Sequence, residues 1–490
     1  MKITDLKPEI VWKFFHQITQ VPRPSKKEGK MIEFLESFAK EYHIALKKDA
    51  VGNILMSKPA TPGKENLPVV ILQSHMDMVC EKNNDTKHDF DNDPIETIVD
   101  GNWLRANGTT LGADNGIGVA AELAVLASND IEHGPIECLF TVDEETGLTG
   151  AKAIEKGFMT GEILLNLDSE DEGEIFMGCA GGKDTQAIFH YMPRKTNPDM
   201  QYFTINIKGL NGGHSGGEIH KGLGNANKIL VRYLYLLAKE ADFALCSIDG
   251  GNLRNAIARE AHAVIGLYSE DKEKARILLN NYTADVENEL KHVDPNVRIS
   301  MESTDRPATC LSNTEAEKLI WALHACPHGV IGMSHDIEGL VETSTNLASV
   351  KMKSDAEGKD HMIVVGTSQR SSIESYKNMI ANQVASVFKL AGAVVTHGDG
   401  YPGWAPNPDS QILEVAQETY KRLFNKEAKI MAIHAGLECG LFLEKYPHLD
   451  MISFGPTLRD VHSPNERIQI DTVGLWWTHL LELLKSIPAK

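Results

Sequence analysis

The stretch PVVILQSHMD, residues 68–77, decides how this chain is read. PVVILQ carries no charge and is short, the pattern of a strand buried on both faces, as in the centre of a parallel sheet. It stops at Ser74-His75-Met76-Asp77, where polar, chemically competent side chains begin. The same grammar recurs downstream. IECLFTV (136–142) stops at Asp143-Glu144-Glu145-Thr146-Gly147, and EILLNL (162–167) stops at Asp168. Between the first two lies GADNGIGVAAELAVLA (112–127), a glycine-rich turn running into an alanine-rich helix. In open α/β sheets ligands sit beyond the carboxyl ends of the strands. Polar clusters repeated at such ends therefore point to one shared site.

Working outward, residues 8–20 and roughly 27–42 place apolar residues at helical spacing, with Pro8 at a helix start. The middle of the chain, 186–398, has a different texture. It carries alternating strands such as YFTINIKGL (202–210), charged helices such as 269–291, and few acidic clusters at strand ends. The strand-and-cluster grammar returns with YPGWAPNPDS (401–410), a helix at 410–424, IHAGLECG (433–440) and MISFGP (451–456). The expected architecture is α/β. A catalytic domain of residues 1–185 and 399–490, with a mostly parallel sheet flanked by helices, is interrupted by an inserted α+β domain, 186–398.

The 490 residues include 49 basic and 68 acidic side chains, a formal net charge of −19. That balance argues against a nucleic-acid or anionic-membrane partner, which would require a basic face. The seven cysteines are scattered without a C-x-x-C pair, which suits a reducing compartment. The N-terminus lacks the apolar core of a signal peptide, and no run reaches the roughly 18 apolar residues of a membrane span. The expected location is cytoplasmic.

His75, Asp77, Asp114, Glu144, Glu145, Asp168 and His462 belong together chemically. A co-catalytic metal pair needs a bridging carboxylate and nitrogen or oxygen donors on each side. A mixed set of histidines and carboxylates suits zinc, with manganese or cobalt as substitutes. Of the adjacent Glu144 and Glu145, one can bind metal while the other stands free as a base for metal-activated water. Asp77, two residues after His75, can point back along the same strand face to orient its ring.

The order H-x-D, G-A-D-N-G, D-E-E-T-G, a strand-end Asp and a late His resembles the dimetal exopeptidases that include carboxypeptidase G and peptidase T. Longer strings, HMDMVCEKNNDTKHDF, GTTLGADNGIG, EGEIFMGCAGG, GLNGGHSGGEIHKGLGNANK and IHAGLECGLF, are similar to the aminoacyl-histidine dipeptidase branch of that family. The resemblance implies two zinc ions per chain, with His75 and Asp168 on one, Glu145 and His462 on the other, and Asp114 bridging. It also implies Glu144 as general base, Asp77 as orienter of His75, and a cis bond at Asp114–Asn115. The insert becomes a lid that closes over the substrate. Its His214 would stabilise the oxyanion, and Asn346 and Arg370 would grip the substrate, Arg370 at the carboxylate. Hydrolysis of Xaa-His dipeptides, carnosine-type ones included, and a homodimer follow from the same resemblance.

Other readings compete. The same metal chemistry serves an N-acyl amino acid deacylase or a carboxypeptidase, and a metal-dependent peptide-binding protein without catalysis would keep the ligands. Gly213-His214-Ser215-Gly216-Gly217 fits G-x-S-x-G, but that motif needs a strand-to-helix elbow, and the segment reads as a loop. Gly112 to Gly118 lacks the G-x-G-x-x-G spacing of a dinucleotide site. His324 and His328 around Cys326 look like ligands but have no further partners at finger spacing, which favours packing.

Overall fold

The computed structural model describes residues 2–354 and 360–489. The chain forms two compact units: Met1–Cys179, Trp404–Ala432 and Leu437–Lys490 make the first, and Ala180–Gly403 with Ile433–Gly436 the second. The divisions at 179/180 and 403/404 stand beside the expected 185/186 and 398/399. The excursion of Ile433–Gly436 is new. Its local partners explain it, since Ala180 N donates to Ile433 O at 3.0 Å and Ser344 Oγ lies 2.7 Å from His434 Nε2.

In the first unit an eight-stranded sheet runs Ala45–Lys48, Ile54–Lys58, Ile136–Thr141, Val70–His75, Ile163–Asn166, Asp450–Ser453, Glu174–Cys179 and Lys429–Ile433. The four central strands are mutually parallel. Antiparallel pairings extend this centre on either side. Every residue of Val70–His75 and Ile136–Thr141 is buried, which is why these strands read as unbroken apolar runs rather than alternating ones. Register does the positioning. Gln73 pairs with Leu139 on one side and Asn166 on the other, and His75 with Thr141, so three strands finish at one level. The helix Glu9–Thr19 buries Val11, Trp12, Phe14, Phe15 and Ile18 and packs on the helix Ala113–Ala127.

A small antiparallel sheet of Leu458–Arg459, Arg467–Gln469, Trp103–Ala106 and Thr97–Asp100 completes this unit. Its 460–466 loop carries His462, held at φ 60°. The second unit is built on a nine-stranded antiparallel sheet, with helices Ala226–Leu237, Lys272–Leu290, Asn313–Ala325 and Glu374–Leu390. Phe203, Ile205, Leu230, Tyr233, Tyr282 and Phe388 lie in its core. Among the described residues no helix is long and apolar enough to cross a membrane.

Candidate metal centre

The strand ends deliver their side chains to one point. His75, the last residue of its strand, has Nε2 3.1 Å from Asp114 Oδ1 and 3.3 Å from Asp168 Oδ1. His462 has Nε2 3.1 Å from Asp114 Oδ2 and 3.0 Å from Glu145 Oε2. Each oxygen of Asp114 thus faces a different histidine. His75, Asp114 and Glu145 form one group whose donor atoms lie close enough to share an ion. Asp114 and Asn115 leave helical geometry at the start of their helix, and the bond between them is cis.

The donors fit divalent metal. Two ligands bonded at about 2.0–2.1 Å to a tetrahedral ion stand about 3.3–3.4 Å apart, close to the separations seen here. Glu145 Oε1 and Asp168 Oδ1 are buried and accept no hydrogen bond of normal geometry. The electrostatics give the same answer. Burial opposes charging His75, yet Asp168, Asp114 and Asp77 outweigh it and raise the ring's pKa well above its ordinary value. Hydrogen bonds to Asp114 and Glu145 push His462 up to about 11. Burial pushes Asp168 up to about 7 and raises Glu144 well above the carboxylate range. Burial raises Glu144, Glu145 and Asp168 while the two histidines hold Asp114 well below the usual carboxylate range, so the site concentrates negative charge that a cation would offset.

Asp77 stands 3.3 Å from His75 Nδ1, but not by continuing the strand as expected, because the strand ends at His75. Its carboxylate accepts Ser25 Oγ at 2.7 Å and the amides of Glu144 and Glu145 at 3.1 and 3.3 Å. It therefore ties the His75 ring to the turn that presents both glutamates. Those glutamates diverge because they open a four-residue helix, Glu144–Gly147, after Asp143 at φ 49°, and not because they extend the strand.

The second unit gathers its own polar set. Arg370, 7% exposed, donates Nη1 to Tyr401 Oη at 2.9 Å, while its Nε is buried without a partner. Asn346 Nδ2 donates to Ala256 O at 2.9 Å, leaving Oδ1 unpartnered. His214 Nδ1 accepts the amides of Gly216 and Gly217 at 3.2 and 3.1 Å. That ring sits in a loop and not at a nucleophile elbow, as the spacing around it implied. His324 stacks on Tyr235 at 4.1 Å, and His328 Nδ1 accepts Leu347 N at 3.3 Å, both packing roles.

Several residues escaped the sequence reading. His434 lines the Arg370 cluster, its pKa lowered to about 3 by burial and then by Arg370. Glu438 accepts Gln73 Nε2 at 2.6 Å and Thr141 Oγ1 at 2.8 Å, beside the strand that ends at His75. Arg23 and Glu466, both 2% exposed, hold the backbone around Asp114. A glutamate four residues after His462 was the only local hint for Glu466, and acidic residues in loops are common.

Known proteins match this chain over its length. A model of the peptidase family M20/M25/M40 matches residues 71–484. The cytosol non-specific dipeptidase of Escherichia coli K12 is 46% identical over 489 residues, covering 100% of both chains. The crystal structure of aminoacylhistidine dipeptidase from Vibrio alginolyticus superposes with a TM-score of 0.92 at 44% identity, over 100% of this chain and 99% of that one. The aminopeptidase PepT of Bacillus cereus shares the fold at a TM-score of 0.61 and 16% identity, over 98% and 99% of the two chains.

Proposed function

The chain belongs to the peptidase family M20/M25/M40, and from that premise we propose that it is a dipeptidase working with two zinc ions and preferring Xaa-His substrates, β-alanyl-histidine included. The observation that carries the reading is Asp114, with one oxygen 3.1 Å from His75 and the other 3.1 Å from His462. His75 and Asp168 would hold one ion and Glu145 and His462 the other, with Asp114 shared. Bound there, the ions would polarise the scissile carbonyl and acidify the attacking water.

The chain's own groups do the rest. Glu144 takes the proton from the attacking water and returns it to the leaving amine, a task suited by a carboxyl whose pKa burial has raised. Asp77 holds the His75 ring in one orientation. In the second unit, the unpartnered Nε of Arg370 is a donor for the substrate carboxylate, and Asn346 and His214 contribute polar contacts. Zinc is preferred over manganese or cobalt because the set includes two imidazoles. The cytoplasmic location and the homodimer remain part of the same proposal.

Metal content measured together with turnover on a substrate panel tests it. The expected result is about two metals per chain and chelator-sensitive cleavage of dipeptides, fastest when histidine is C-terminal. Activity confined to N-acyl amino acids would move the site to a deacylase, and bound metals without turnover would make the chain a peptide-binding protein.

A further inference from the structure

The turn before Asp114 is held from both sides by buried charges that no metal ligand explains. On one side Glu466 accepts four consecutive backbone amides: Leu111 and Gly112 on Oε2 at 2.7 and 2.9 Å, and Ala113 and Asp114 on Oε1 at 2.7 and 3.2 Å. Successive amides at a helix start make a concave anion receptor, and here the anion is a side chain from 352 residues away. On the other side Arg23 donates to the carbonyls of Gly112, Met76 and Asp77, the last two at 3.1 and 2.6 Å. The guanidinium fits only because two glycines make room. A Cβ at Gly112 would stand 2.5 Å from Arg23 Nη2, and one at Gly116 2.7 Å, while Gly112 also sits at φ 68°.

We propose that Glu466 and Arg23 are positioning residues that fix where the two oxygens of Asp114 point, and so set the affinity for one of the two metals and the rate of the reaction. The inference rests on the reading of Asp114 as the bridging ligand. Its logic is mechanical. Glu466 lies in the same turn as His462, so one segment supplies a histidine to one oxygen of Asp114 and clamps the backbone of that aspartate. Arg23 ties the same turn to Met76 and Asp77, next to His75, which faces the other oxygen. Both histidines are thereby referenced to the Asp114 backbone through these two side chains. Glutamine at 466 could accept with only one of its two terminal atoms. Lysine at 23 keeps the charge but cannot reach three carbonyls with a planar fork.

The test is zinc titration of metal-depleted protein for the wild type, Glu466→Gln, Glu466→Asp and Arg23→Lys, alongside steady-state kinetics and thermal unfolding. The expected result is two sites in the wild type and a roughly 10–100-fold loss of affinity at one of them in Glu466→Gln. kcat should fall with KM nearly unchanged, and Glu466→Asp, which keeps the carboxylate, should recover part of both. If Glu466→Gln does not fold, Arg23→Lys carries the same expectation. Two sites of wild-type affinity in the foldable variants, with only the melting temperature lowered, would reduce both residues to helix-capping and overturn the proposal. A wild type that binds a single zinc would overturn the bridging reading itself, and this inference with it.

Discussion

His462 follows Asp114 by 348 residues, yet its Nε2 stands 3.1 Å from Asp114 Oδ2. The contact joins the helix that starts beside the central strands to a loop of the small antiparallel sheet. Because the other oxygen of Asp114 faces His75, this carboxylate is the hub through which the strand ends and the late loop form a single site.

Replacing Glu144 should separate chemistry from binding. Glu144→Gln is expected to lower kcat by about 10²–10⁴-fold while leaving metal content at the wild-type level. Kinetics with elemental analysis on the same preparation checks this, and a variant retaining most of its turnover would take Glu144 out of the role.

Metal removal should cost stability as well as activity. Without cations, Asp114, Glu145, Asp168 and Glu144 crowd one partly desolvated site, so chelated protein should melt at a lower temperature and recover on adding zinc. Calorimetry with and without chelator reads this directly. An unchanged melting temperature would mean that the site holds no metal tightly.

Arg370→Lys should act on substrate affinity. The lysine keeps the positive charge but loses the donor at the Nε position and the contact to Tyr401. KM is expected to rise about 10-fold or more with kcat changed much less. Equal losses in kcat and kcat/KM would instead assign Arg370 a contact made in the transition state.

His479 should make the protein acid-sensitive. It is buried against Tyr420 and Phe454, and burial lowers its pKa to about 4 despite the Ala416 carbonyl. The unfolded chain takes up this proton near pH 6.5. Between those values the unfolded state binds more protons, so stability is complete above pH 6.5 and is lost as pH falls toward 4, by on the order of 3 kcal/mol. Denaturant midpoints across this range should fall less steeply for His479→Gln than for the wild type; parallel curves would rule the histidine out.

Much of the site was legible because strand ends are local features. VVILQSH and IECLFT are too short for a typical helix and read as buried strands, which puts the polar residues after them at the C-terminal edge. The details that depended on backbone direction were not. Asp77 was expected on the strand of His75 and lies beyond it, and the divergence of Glu144 and Glu145 comes from a left-handed Asp143 that no propensity announces.

The sequence by itself determined the parallel centre of the sheet and the side chains that gather around Asp114, because hydrophobic period and residue chemistry are written position by position. Tertiary structure alone decided which oxygen of Asp114 meets which histidine, and that Glu466 and Arg23 hold its turn. Glu466 reaches the Asp114 amide across 352 residues, and Arg23 reaches the Gly112 carbonyl across 89. Contacts of that separation have no period and no spacing. They exist only once the sheet register and the small antiparallel sheet bring the segments together.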